Sequence, residues 1–178
     1  MKRFPIRPSR PDDAPLLPAV EHSAGEAFRA IAALAVLADG ADQSVATHRA
    51  SIAAGTSWVA TDDDDRPIGF VIAERCAADR ALHIVELAVR HDRQRAGCGR
   101  ALMAAAIASA RAAKLSAVTL TTFRDVPWNA PFYARLGFEL LAGAAIGPRL
   151  AAHLSDEAAR GLDGRCAMRL DLAAARER

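Results

Sequence analysis

Between Glu86 and Ile107 the chain reads ELAVRHDRQRAGCGRALMAAAI, and the residue types packed into its middle are those that hold an anion. Gln94, Arg95, Ala96, Gly97, Cys98 and Gly99 form a turn with two glycines, and Arg93, Arg95 and Arg100 stand in and around it. Glycine has no Cβ, so the backbone there can take a positive φ and approach a ligand closely. A helix that starts at such a turn leaves its first N–H groups unpaired at the positive end of its dipole. With guanidinium forks beside them, these donors suit a phosphate or pyrophosphate.

The letters on either side supply the elements that position this turn. His83 to Val89 is a short apolar run compatible with a strand. Beyond the turn Leu102, Met103, Ala106, Ile107 and Ala110 recur at helical spacing and predict a helix over 99–113. Two common phosphate loops fail against the same letters: Leu102 stands where a dinucleotide fingerprint needs its third glycine, and no Gly-Lys-Ser/Thr occurs. What does fit is Gln/Arg-x-x-Gly-x-Gly/Ala. After the β-branched run Val118 to Phe123 comes Trp128-Asn129-Ala130-Pro131-Phe132-Tyr133-Ala134-Arg135-Leu136-Gly137-Phe138-Glu139, ending in Tyr-x-x-x-Gly-Phe. Over residues 82 to 139 the two motifs resemble the GNAT superfamily of N-acetyltransferases, in the order and separation of that family. Weaker likeness reaches Phe4 to Arg7 as a first strand and Arg165 to Leu170 as a last one.

The resemblance implies an α/β (α+β) fold: one domain over residues 1–178, with a mixed central sheet of six to seven strands and helices on both faces. The strands at 82–90 and 117–123 would be parallel neighbours that splay apart into a notch for the pantetheine arm. It implies acetyl-CoA as acyl donor, with its pyrophosphate on Gln94, Arg95, Ala96, Gly97, Cys98, Gly99 and Arg100. Unpaired backbone groups of Leu87, Ala88 and Val89 would complete a ladder with the pantetheine amides, as an added strand does.

An amine attacking a thioester must be neutral, must have its oxyanion stabilised, and must expel a thiolate that needs a proton. Glu86 is the candidate base, acting through water, with an ion pair to a nearby arginine as the alternative. The N–H of Leu87 or Ala88 suits the oxyanion. Tyr133, the only tyrosine in the chain, stands where the family places the acid, its alternative being a core tyrosine. The family often carries an asparagine seven positions before this tyrosine, and here that residue is Val126. Asn129 replaces it, caps the short helix, or does both. Trp128 and Phe132 contact the cofactor or acceptor, or else belong to the core.

Elsewhere the pattern predicts a strand at 3–9 and a helical stretch after Asp12 and Asp13 with Leu16, Leu17, Val20, Ala24 and Ala27 on one face, broken near Gly25. A second apolar helix is expected over Phe28 to Leu37, and another over 44–54 ended by Gly55. Trp58 to Thr61 and Ile68 to Ala73 form a hairpin whose tip, Asp62 to Pro67, lacks the glycine and distal glutamate of a calcium loop. A helix over Leu150 to Ala159 leads to the final strand. The N-terminal helices and the segment Gly143 to Arg149 would wall the acceptor pocket, where Glu21 and Glu26 favour a cationic amine.

A formal charge of +2 and the lack of a basic cluster interleaved with aromatics argue against nucleic acid and anionic membranes. No apolar run approaches the ~20 residues of a membrane span, and Met1 to Arg3 open no signal-peptide core, so a cytoplasmic protein is expected. Cys76, Cys98 and Cys166 have no C-x-x-C spacing, and the five histidines show no ligand pattern, so no metal is expected. Cys98 beside arginines and a helix start is either a thiol of lowered pKa or a small filler of the turn. The partner is a small-molecule or peptide amine, with a homodimer left open. A non-catalytic acyl-CoA sensor or scaffold of the same fold is the alternative function.

Overall fold

The computed structural model describes residues 4–172. Met1 to Arg3, including the Arg3 end of the first expected strand, lie outside the described residues. Seven strands form a mixed sheet in the order β1-β2-β3-β4-β5-β7-β6. They are β1 (Ile6–Pro8), β2 (Ser57–Thr61), β3 (Pro67–Cys76), β4 (Ala81–Val89), β5 (Ala117–Phe123), β6 (Glu139–Leu140) and β7 (Arg165–Asp171). The helices are α1 (Leu17–Gly25), α2 (Val45–Ala53), α3 (Cys98–Ala112), α4 (Ala130–Ala134) and α5 (Pro148–Ala159). The described chain resolves into two compact units, one running through Glu74 with Val85–Ser109, the other comprising Arg75–Ile84 and the chain from Ala110 on.

In the first unit, proline decides how the chain leaves β1. Pro11, Pro15 and Pro18 lack the N–H that an α-helical ladder needs, so Pro11–Leu16 winds as a 3-10 turn before α1 begins at Leu17. Arg7 holds this turn to the hairpin tip: its guanidinium donates to Asp13 at 2.7 and 3.0 Å and to Asp65 at 2.8 Å. The aspartate run is thus built into the fold at Asp65, while Asp62 accepts the backbone N–H of Asp64 and Arg66 to close the turn. Leu17 and Val20 of α1 cluster with Val59, Phe70, Ile72 and Ala88, and Ala24 and Val85 pack against them. Ser44 caps α2 by accepting the N–H of Thr47 at 3.1 Å.

The expected apolar helix over Phe28 to Leu37 does not form. Glu26–Ala30 and Ala32–Asp39 are two 3-10 segments, interrupted by Ile31 in an extended conformation at φ −118° and ψ 106°. Arg29 is drawn to Glu26 and Asp39, and the polar clamps hold a tighter, poorer helix in place of one with a single buried stripe.

In the second unit, β4 and β5 run parallel from Ala81↔Ala117 to Ile84↔Leu120, while β5 pairs antiparallel with β7 from Ala117↔Asp171 to Phe123↔Arg165. β6 adds to the far side of β7 through Glu139↔Arg169 and Leu140↔Met168. Helix α5, which starts two residues before the expected Leu150, presents Arg149, His153 and Glu157 one turn apart on one side. There Arg149 donates to Asp79 (2.6 Å) and Thr119 (3.1 Å), His153 stacks on His83 (4.7 Å), and Glu157 accepts from Thr121 (2.6 Å).

Candidate active site

Each unit carries part of the expected site. In the first, α3 begins at Cys98, and its first helical hydrogen bond runs from the Ala101 N–H to the Gly97 carbonyl at 3.1 Å. The N–H groups of Cys98, Gly99 and Arg100 precede that ladder and belong to the open end of the helix. Gly97 has φ +91°, and a Cβ built on it would meet nothing within 4 Å, so the space outside the turn is open. The second left-handed residue of the turn is Arg95, at φ +60°, whereas Gly99 lies inside α3 with no positive φ. A non-glycine residue in that region is uncommon and costs local strain. Arg95, Ala96, Gly97 and Arg100 are exposed, and Arg93 pairs with Asp92 at 3.3 Å.

Cys98 is buried beneath the turn. A Cβ on Gly69 would lie 3.0 Å from the Ala88 carbonyl oxygen, 3.2 Å from the Cys98 Sγ and 3.2 Å from the Leu102 Cδ1. The empty Cβ position at Gly69 therefore lets β3, β4 and the start of α3 close on one another. Burial pushes the Cys98 thiol up to about 11, so of the two alternatives it is the small filler of the turn, its sulfur facing the core, and not a thiol of lowered pKa.

Glu86, Leu87 and Val89 are half-buried on the last part of β4, and Ala88 is buried. Two of the backbone groups expected to be unpaired are engaged. The Leu87 N–H donates to Glu86 Oε1 at 3.0 Å, and the Val89 carbonyl accepts from Gln94 Nε2 at 3.0 Å. Short polar side chains next to a strand end satisfy its backbone when no further strand does. Glu21 on α1 faces Glu86. Burial first, then the Glu86 charge and that of Asp42, push its carboxyl up to about 8, against a hydrogen bond from the Gln43 N–H at 2.9 Å. Glu26, the other expected acid of the acceptor wall, is instead tied to Arg29 at 2.9 Å.

In the second unit, α4 holds Phe132 and Tyr133. The Tyr133 ring meets Phe132 edge-on at 5.0 Å and Phe138 at 5.8 Å, and its backbone carbonyl accepts from Leu136 and Phe138. Gly137 turns the chain at φ +91°, so the Tyr-x-x-x-Gly-Phe spacing is that of a short helix and its return. Asn129 stands at the N-cap, but its side chain makes no capping hydrogen bond, contrary to one of its two expected roles; its backbone carbonyl accepts from Phe132 and Tyr133. Val126, at the position of the family's asparagine, is buried.

Sequence reasoning overlooked Gly69 and the bracing by the Gln94 side chain. A lone glycine within the apolar run Ile68-Gly69-Phe70 is a readable sign of close backbone approach. No local pattern marks the Gln94 contacts, whose partners lie as far as 70 residues away. Among the described residues, no group of three or more His, Cys, Asp or Glu is placed to hold a metal ion, and no helix is long and apolar enough to cross a membrane.

Solved structures share this fold. A Mycobacterium tuberculosis protein in complex with CoA superposes with a TM-score of 0.67 at 21% identity, covering 94% of this chain and 99% of that one. The PaiA N-acetyltransferase of Thermoplasma acidophilum in complex with coenzyme A gives 0.69 at 14% identity, over 96% and 99% of the two chains. The ribosomal-protein-S18-alanine N-acetyltransferase of Escherichia coli gives 0.68 at 17%, over 98% and 97%. Residues 53–140 match the acetyltransferase (GNAT) domain model, a span that holds the β2–β3 hairpin, the glycine turn and the Tyr133 helix. Over those residues the chain carries an acetyltransferase (GNAT) domain.

Proposed function

We propose that the chain transfers an acetyl group from acetyl-CoA to a primary amine, by direct attack in a ternary complex. The observation that carries this reading is the open helix start at residues 94–100, where backbone donors, exposed Arg95 and Arg100, and clear space outside Gly97 make a cradle for a pyrophosphate. Acetyl-CoA supplies the activated thioester, and the chain's own groups bind, orient and move protons. Leu87, Ala88 and Val89 line the pantetheine arm with their backbone, and Asn129 and Phe132 contact the cofactor. Glu86 takes the proton of the amine, directly or through water. In doing so it releases the Leu87 N–H, to which it is bonded at 3.0 Å, and that N–H is then free to stabilise the oxyanion. Tyr133 returns a proton to the departing thiolate. The acceptor is a small amine or a peptide N-terminus that binds beside Glu21, and the reaction belongs to the cytoplasm.

Calorimetry with acetyl-CoA and thiol release across an amine panel test the reading together. Wild-type protein should bind in the micromolar range and Gly97→Trp should lose binding strongly. Tyr133→Phe should lower turnover by roughly 100-fold or more while binding persists. Equal binding by wild type and Gly97→Trp would remove the cofactor assignment. Binding without thiol release for any amine would leave an acyl-CoA sensor in place of an enzyme.

A further inference from the structure

Gln94 opens the motif that holds the pyrophosphate, yet its side chain turns inward. Its Nε2 donates to the Val89 carbonyl at the end of β4 (3.0 Å) and to the Ala24 carbonyl in the last turn of α1 (3.4 Å). One residue away from Ala24, the Ser23 hydroxyl oxygen accepts the His91 N–H at 3.2 Å, so the loop between β4 and the glycine turn holds the end of α1 at two adjacent positions. The same helix packs Val20 and Ala24 against Val85 and Ala88, and carries Glu21 beside Glu86. The Ala24 carbonyl also takes the Glu26 N–H, and the Gln94 amide adds to it a donor from a segment 70 residues away, which ties the end of the helix to the loop. Below Ala24 the chain leaves α1 for the 3-10 segment Glu26–Ala30, none of whose residues is buried.

We infer that Gln94 is a positioning residue that couples the glycine turn to helix α1, so that loading acetyl-CoA onto the turn fixes the wall against which the acceptor amine binds. The inference rests on the reading of residues 94–100 as the acetyl-CoA site. The turn holds strain at Arg95, one residue from Gln94, and an anion seated on the amides of 97–100 restrains that backbone. Restraint there narrows the range of the Gln94 amide, and through it and Ser23 the end of α1. Coupling of this kind is reciprocal, so an acceptor that orders α1 tightens the cofactor as well.

Amide hydrogen exchange on the full chain, with and without saturating acetyl-CoA, tests this. In the wild type, exchange should slow at 95–101 and, by roughly tenfold, at 18–27. Gln94→Ala and Gln94→Glu, which remove the donor, should keep the slowing at 95–101 and lose it at 18–27. Gln94→Arg, which keeps a donor of sufficient reach, should restore it. Ser23→Ala, outside the motif, should lose part of it, which guards against misfolding of the Gln94 variants. Slowing at 95–101 with no change at 18–27 in the wild type, or the full change in Gln94→Ala, overturns the coupling alone. No slowing at either segment in the wild type overturns the cofactor site and the coupling with it.

Discussion

Glu21 in the first unit and Glu157 in the second are both carboxylates drawn out of water, and the one that stays ionised is the one with cationic and hydroxyl donors around it. Glu157 is 7% exposed, and burial pushes its carboxyl up, but two hydrogen bonds from Arg165 (2.7 and 3.0 Å) and one from Thr121 (2.6 Å) carry it below the ordinary glutamate range. Glu21 has only the Gln43 N–H and looks out on Glu86 and Asp42, and its carboxyl rises to about 8. The lesson is that burial raises both carboxyls, and the partners decide which of them ends below its ordinary value. A saturated carboxylate is a structural part. One that faces another acid is left with a proton to exchange near neutrality, and it is found on the helix proposed to wall the acceptor.

Removing the saturated acid should have the largest effect. Glu157→Gln leaves Arg165 without its counter-charge and should cost roughly 3 kcal/mol in urea unfolding at pH 7. A loss near zero would mean that the network is dispensable and the comparison empty.

The next effect concerns pH. Because the folded-state pKa of Glu21 is raised, its protonated form contributes stability that is present below the unfolded value of ~4.3 and fades as pH rises through about 8. Glu157, shifted the other way, contributes stability above its unfolded value that is lost as the solution is acidified. Glu21→Gln should therefore melt about 3 °C higher than wild type at pH 9, with a smaller gap at pH 6. Parallel melting curves from pH 6 to 9 would show that Glu21 does not hold that proton.

The smallest effect tests whether the first unit tolerates unpaired polar groups away from any site. His48 of α2 is fully buried, edge-on to Phe70 at 4.9 Å, with neither ring nitrogen bonded, and burial lowers its pKa. His48→Leu should raise stability by about 1 kcal/mol, by removing two desolvated nitrogens from an apolar setting. A comparable loss would show that the imidazole is held by its packing.

The sequence was most readable where the signal was local. The β2–β3 hairpin around the aspartate run, the helix over 44–54 and the α3 stripe of Leu102, Met103, Ala106, Ile107 and Ala110 all follow from spacing within a few residues, and all stand in the structure. The segment 26–39 was misread because an apolar, alanine-rich run scores as helix, while the clamps of Arg29 on Glu26 and Asp39 depend on the final path of the chain. In the glycine turn the letters located the flexible segment, but the left-handed conformation fell on Gly97 and Arg95, while Gly99 took a place in the first turn of α3. Of the site, the turn and the Tyr133 helix were legible. The occupied Leu87 N–H and Val89 carbonyl were not, since a strand pattern says nothing of which side chains fold back onto it.

Gly69 and Gly97 differ in how each is fixed across generations of substitution. At Gly97 the obstacle is the left-handed backbone alone, and a change there is judged once, by the turn itself. At Gly69 three neighbours press on the same missing methyl. Cys98 and Leu102 can shrink to make room, but the Ala88 carbonyl is backbone and would have to shift with the strand that carries Glu86. A side chain at position 69 therefore meets backbone even after both side chains have yielded.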